Sequence, residues 1–183
     1  MAAIESKICD FGWKADNFNL KSVDDNFYSL EDLIGTKGTL IMFICNHCPY
    51  VKSLIKKITY EANELKKIEV NTLAIMSNDA NQYPEDSFDN MKLFSKNNNF
   101  IFHYLYDEEQ IVAKKYNAQC TPDFFGFNNN LELQYRGRLD SGKNEIGNNS
   151  SRDLYKAMKE ISSTGKGPRD QIPSIGCSIK WKK

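Results

Sequence analysis

The run Thr39-Leu40-Ile41-Met42-Phe43-Ile44, bounded by Gly38 and Asn46, constrains this chain more than any other feature. Such a continuous run reads as a strand buried on both faces, a place found inside an α/β sheet. The period then changes. Val51, Leu54, Ile55, Ile58, Ala62, Leu65 and Ile68 fall on one helical stripe, with Lys52, Lys56, Lys57, Glu61 and Lys66 opposite. A second buried strand follows at Val70 to Met76.

The alternation continues. Pro84 to Lys96 reads as helix, with Phe88, Met91 and Phe94 on a face, Phe102 to Tyr106 as strand, and Glu108 to Tyr116 as a short helix. Asp123 to Phe127 and Leu131 to Arg136 form a hairpin across Asn128-Asn129-Asn130. Ser151 to Ile161 is a last helix, with Leu154, Ala157, Met158 and Ile161 inward. Asn97-Asn98-Asn99 and Asn148-Asn149 read as turns. Ahead of the first buried strand, Asp16 to Leu20 alternates like an edge strand, and Ser29-Leu30-Glu31-Asp32 starts one helical turn that Gly35 stops. The segment from Ser162 onward shows no period. The order β-α-β-α-β-α-β-β-α predicts an α/β fold, with a central mixed sheet flanked by helices, parallel inner strands and an antiparallel edge. A chain of 183 residues is expected to be one domain, with its core over 10–162, an N-terminal extension and a tail over 163–183.

Charge and composition narrow the partners. Lys plus Arg number 24 and Asp plus Glu number 24, so no net field draws the chain to nucleic acid or an anionic membrane. The longest apolar run is strand-sized, far short of the ~20 residues of a membrane helix. Met1-Ala2-Ala3-Ile4-Glu5-Ser6-Lys7 lacks the basic start and apolar stretch of a secretory signal, so a cytoplasmic location is expected. Five cysteines, an odd count in a reducing compartment, point to cysteine chemistry and not to a disulfide framework.

That chemistry centres on Cys45-Asn46-His47-Cys48-Pro49, where a buried strand gives way to a helix. Two cysteines three apart can close a small disulfide loop there. Unpaired N–H groups and the positive end of the helix dipole favour a thiolate. Pro49 suits the first helical turn. Cys45 is expected to be the lower-pKa thiol and the nucleophile, with Cys48 resolving and the His47 imidazole favouring the Cys45 thiolate; the alternative for His47 is a solvated first-turn side chain. A zinc site would need a second ligand pair, and Cys9, Cys120 and Cys177 are scattered, so no metal or other cofactor is expected beyond the dithiol itself. Arg136 and Arg138 offer cationic donors to the site or lie on a solvated hairpin. Cys120 is a third redox thiol or a small buried side chain. Cys177 is a resolving thiol or an anchoring contact beneath Trp181.

The chain resembles the thioredoxin-like superfamily and, more closely, the peroxiredoxin-like branch of the alkyl hydroperoxide reductase and thiol-specific antioxidant group (AhpC/TSA). The resemblance is carried by Phe43 to Val51, Ser77-Asn78-Asp79 with Tyr83-Pro84-Glu85-Asp86, Cys120 to Phe124, Tyr135 to Asp140 and Pro173 to Trp181. It implies a thioredoxin-like fold in which Thr121 and Pro122, the latter as a cis-proline, face the cysteine pair and bind substrate, with Arg136 beside them. The peroxiredoxin pattern P-x-x-x-T-x-x-C is not met: measured from Cys48, Cys45 takes the Thr place and Ile41 the Pro place. Many thioredoxins carry a buried Asp six residues before the first Cys, where this chain has Thr39.

The leading expectation is a thiol–disulfide oxidoreductase acting on protein or small-molecule disulfides and re-reduced by a cellular dithiol. The alternatives are a thiol-dependent peroxidase using Cys48 or Cys45, and a non-enzymatic metal- or thiol-binding module.

Overall fold

The computed structural model describes residues 3–142, 147 and 150–183; the turn expected at Asn148-Asn149 lies outside them. Strand β4 (Gly38–Phe43) is buried along its whole length, because it is flanked by strands on both edges and covered on both faces. Its side chains alternate as a pleated strand requires. Leu40 and Met42 join the core under α1 (Pro49–Lys66) and α4 (Asp153–Thr164), with Ile44 just beyond. Ile41 and Phe43 join the opposite core with Phe125, Phe127 and Tyr116, the last of these capping the end of α3 (Ile111–Lys115).

β4 pairs in parallel with β5 (Val70–Met76), and β5 in parallel with β6 (His103–Tyr106). On its other edge β4 takes β8 (Asp123–Phe127) antiparallel, and β9 (Leu133–Tyr135) follows as a hairpin. With β2 (Asn19–Ser22) and β3 (Phe27–Ser29), the sheet has seven strands in the order β3-β2-β6-β5-β4-β8-β9. This is the mixed sheet flanked by helices that the hydrophobic pattern predicts.

Three local departures have physical reasons. The helix expected from Pro84 splits into a 3-10 turn, Pro84–Asp86, and α2 (Phe88–Asn97), because Ser87 is extended and caps α2 by accepting from the Asn90 N–H. Lys57 and Glu61, on the polar side of the α1 stripe, are buried, since the fold brings Asp140 within 2.6 Å of Lys57 and Arg152 within 2.7 Å of Glu61. The segment without a period carries a strand, β10 (Ile175–Ser178), sandwiched between β1 (Ala3–Glu5) and β7 (Cys120–Thr121) in a separate antiparallel sheet. Among the described residues, no helix is long and apolar enough to cross a membrane.

Candidate active site

The site lies where β4 ends. The Ile44 N–H still bonds to Ile75 O, after which Cys45, Asn46 and His47 make a turn. Helix α1 begins at Pro49, so Cys48, extended at φ −63 and ψ 123, is its N-cap. Across the gap, β8 runs antiparallel to β4 with Phe43 opposite Asp123. This register carries Thr121 and Pro122 to the cysteines. The Thr121–Pro122 peptide is cis. Cys45 Sγ lies 3.3 Å from Thr121 Oγ1, and Cys48 Sγ 3.1 Å from Thr121 O. Both residues are sealed from solvent, Cys45 at 1% and Cys48 at 0% exposure. All five cysteines are free thiols.

Asp86, from the 3-10 turn before α2, organises the other side of this turn. Its Oδ1 accepts from the backbone N–H groups of Asn46 (2.7 Å) and His47 (3.2 Å). Its Oδ2 meets His47 Nδ1 at 2.6 Å and accepts from the Asn78 side chain at 2.8 Å. The His47 ring stacks on Tyr83 at 5.4 Å, and its buried Nε2 has no hydrogen-bond partner. Asn46 is itself held, donating to Glu85 O and accepting from the Tyr104 hydroxyl. A wholly buried carboxylate is thereby matched by four donors, which is what burial of such a charge demands. The Cys45 sulfur, a His47 ring nitrogen and an Asp86 oxygen lie within 4.8 Å of one another, the one such group of potential metal ligands among the described residues.

The two thiols ionise in opposite directions. Cys48 is brought down to about 4, first by the hydrogen bond from Cys45 and then by the Val51 N–H in the first turn of α1 and by the thiol and N–H of Cys177, while its burial opposes the shift. The Thr121 carbonyl, which accepts from Cys48 only when that thiol is protonated, works against ionisation; the donors around the sulfur outweigh it. Cys45 is pushed well above the usual thiol range by the same hydrogen bond to Cys48, by burial and by the charge of Asp86. These directions run opposite to the order expected from sequence, in which Cys45 is the more acidic. The first cause is the hydrogen bond between the two thiols, which lowers Cys48 and raises Cys45, and the Val51 N–H in the first turn of α1 adds to it on the Cys48 side alone. His47 is raised from 6.5, first by its hydrogen bond to Asp86, against desolvation. Its partner is that carboxylate, and the Asp86 charge offsets what the imidazolium would do for a Cys45 thiolate.

The remaining expected residues separate into those at the site and those elsewhere. Thr121, Pro122 and Cys177 are brought to the cysteines. Arg136 is neither a solvated hairpin residue nor a free donor for substrate: it is buried, with its guanidinium on Asp123 Oδ2 (3.0 Å), Ser6 Oγ (3.1 Å) and Asn117 O (2.9 Å), over the Phe125 ring. It fixes the start of β8, directly after the cis-proline. Arg138 pairs with Asp153 at 2.6 Å. Cys120 is buried, its Sγ 3.4 Å from Pro122 O, and burial holds it protonated. Cys177 is pushed up to about 11 and half-buried Cys9 to about 12, both first by burial. Thr39 accepts from Gly35 N at the far end of β4 and does not reach the cysteines. Asp86 was not singled out as a site residue from the sequence; the one pointer to it was its place in the Tyr83-Pro84-Glu85-Asp86 block.

A mixed sheet with a parallel centre, a Cys-x-x-Cys turn at the head of the helix after its middle strand and a cis-proline facing that turn define a protein of thioredoxin-like fold. The profile of the AhpC/TSA family matches residues 11–136, and the chain belongs to that family. An uncharacterized conserved protein from Geobacillus kaustophilus is 45% identical, with 100% of this chain and 97% of that one covered and a TM-score of 0.91. A hypothetical protein from Sinorhizobium meliloti 1021 is 32% identical over 97% of this chain and 98% of that one, TM-score 0.88. The thioredoxin domain of a thiol-disulfide oxidoreductase from Bacteroides vulgatus, 13% identical over 83% of this chain and 97% of that one, shares the fold at a TM-score of 0.64. No curated protein matches the sequence.

Proposed function

We propose that the chain is a thiol–disulfide oxidoreductase in which Cys48 is the nucleophile and Cys45 the resolving thiol. The observation that carries this reading is that both sulfurs, at the head of α1, contact one residue of the facing strand, Thr121. The Cys48 thiolate attacks a disulfide RS–SR, forming Cys48–S–SR and expelling RS⁻. Cys45 then gives up its proton, attacks the Cys48 sulfur and expels the second thiolate, so that dithiol plus RSSR becomes disulfide plus two RSH. A cellular dithiol reverses the change. His47 and Asp86 are positioning residues that hold the turn between the cysteines. The reduced protein, treated with glutathione disulfide, should lose two thiols, and peptide mapping should place one disulfide between Cys45 and Cys48 that dithiothreitol reopens. Thiol loss without that crosslink, or none at all, overturns the reading.

A second reading, a thiol-dependent peroxidase, is favoured by the lowered Cys48 placed just before Pro49, which echoes the peroxiredoxin Cys-Pro step. The thiolate would take oxygen from ROOH to give sulfenic acid and ROH, and Cys45 would condense with it to the same disulfide and water. Peroxide consumption by the reduced protein, compared with its Cys48→Ser variant, separates this from disulfide exchange.

A further inference from the structure

An oxidant must come alongside Cys48 to react, and the Thr121 carbonyl lies 3.1 Å from its sulfur. Thr121 belongs to β7, a two-residue strand outside the seven-stranded sheet, and extended backbone of this kind offers an edge to which a polypeptide strand can pair. That edge is already filled. β10 pairs with it antiparallel, Cys177 opposite Thr121 and Ser178 opposite Cys120. Gly176 lies so close that a Cβ there would run into the Thr121 carbonyl.

The covering strand is not loosely laid. β1 pairs along its other edge, and the Ser174 hydroxyl donates to Pro122 O at 2.8 Å. Beyond the strand, Ile179 N bonds to Gln119 O, Lys180 N to Asn78 Oδ1, Asp79 N to Lys180 O, and Lys182 N to Gln110 Oε1. Anchors on both sides of residues 175–178 would have to break together before a polypeptide could take their place, whereas a small molecule needs only a local opening over the sulfur.

We propose that β10 is a permanent internal occupant of the polypeptide-binding edge, so that the site takes low-molecular-weight disulfides or hydroperoxides and not protein disulfides. The inference rests on the redox reading above and narrows its substrate class. The chemistry is unchanged: Cys48 forms the mixed disulfide or sulfenic acid, Cys45 closes the disulfide, and two RSH, or ROH and water, leave.

The test uses the full reduced chain, with closure of the Cys45–Cys48 disulfide followed separately in glutathione disulfide, hydrogen peroxide and insulin. At equal disulfide concentration, glutathione disulfide should oxidise the pair about 100-fold faster than insulin, and an equal or faster rate with insulin overturns the proposal. Gly176→Val, which forces β10 off the Thr121 carbonyl, also moves Cys177 away from Cys48 and so can slow every oxidant; the ratio of the insulin rate to the glutathione disulfide rate should nevertheless rise about tenfold. Should that variant fail to fold, Ser174→Ala, which removes only the bond to Pro122 O, should give a smaller rise of the same sign. No rise in a folded variant overturns the blocking role of β10. If none of the three oxidants closes the disulfide, the redox reading itself fails, an outcome distinct from rapid oxidation by insulin.

Discussion

Cys45 and Cys48 stand three residues apart in one turn, yet they sit in two different electrostatic regions. On the Cys45 side lies a buried carboxylate, Asp86, and burial and negative charge both hold the proton on sulfur. On the Cys48 side lie the head of a helix, with the Val51 N–H in its first turn, and Cys177 of β10, and these lower the thiol. The hydrogen bond between the two thiols amplifies the contrast, since the proton that Cys45 keeps is the one that stabilises Cys48. A dithiol is thus made asymmetric by its supports, with identical chemistry in both members.

Removing the favoured thiol is the harshest way to break that asymmetry. Cys48→Ser should abolish oxidation by small disulfides to background, while Cys45→Ser should still react once and accumulate a mixed disulfide visible by mass. If Cys45→Ser is silent and Cys48→Ser traps the adduct, the two roles are exchanged.

The next largest effect is on stability, beneath the Cys48 side. Arg136 and Asp123 form a buried pair that holds β8 behind the cis-proline. Arg136→Met leaves Asp123 charged and short of a donor, and breaking such a pair costs about 3–5 kcal/mol. Denaturant unfolding of the variant should show that loss with an unchanged slope. A change below about 1 kcal/mol, the scale of an exposed pair, would mean that the ion pair is not buried in solution.

How far these regions can be read from sequence differs in the same way. β4 was legible because burial on both faces leaves an unbroken apolar run, and α1 because its buried stripe repeats at the helical period. β10 was not, because its four residues include Gly176 and Ser178 and are held by backbone pairing with β1 and β7, which leaves no hydrophobic pattern. The Cys-x-x-Cys turn and Pro122 were legible, but Asp86 reaches Asn46 across 40 residues of chain and has no local signature.

The ionisation contrast can be sharpened directly by thiolate absorbance near 240 nm, which needs no reagent to reach a buried sulfur. The reduced protein should keep one thiolate down to about pH 4. Cys45→Ala removes the donor from Cys48. A hydrogen bond to a charged group is worth about 1.5–3 kcal/mol, so the Cys48 midpoint should rise by about 1–2 pH units at ~1.4 kcal/mol per unit. A midpoint that stays in place would mean that the helix start alone sets it.

A change in the sign of a slope is the most discriminating effect, because the two sides of the turn give stability opposite pH dependences. Cys48 has a depressed folded pKa, so between about 4 and its unfolded value near 9 the unfolded state holds a proton that the folded state lacks. Over that window stability rises with pH by at most about 1.4 kcal/mol per unit. His47 has a raised folded pKa, so its contribution is complete below its ordinary 6.5 and is lost as pH climbs through the raised value. In the window starting at 6.5 the two slopes oppose each other, and the wild-type curve of unfolding free energy against pH should flatten. His47→Gln should replace that plateau with a continued rise, and Cys48→Ser should turn it into a fall. The sign of these changes is what matters, since other titrating groups cancel when each variant is compared with the wild type. A plateau that survives His47→Gln would show that the His47–Asp86 contact does not hold its proton, and the contrast between the two sides would then rest on Cys48 alone.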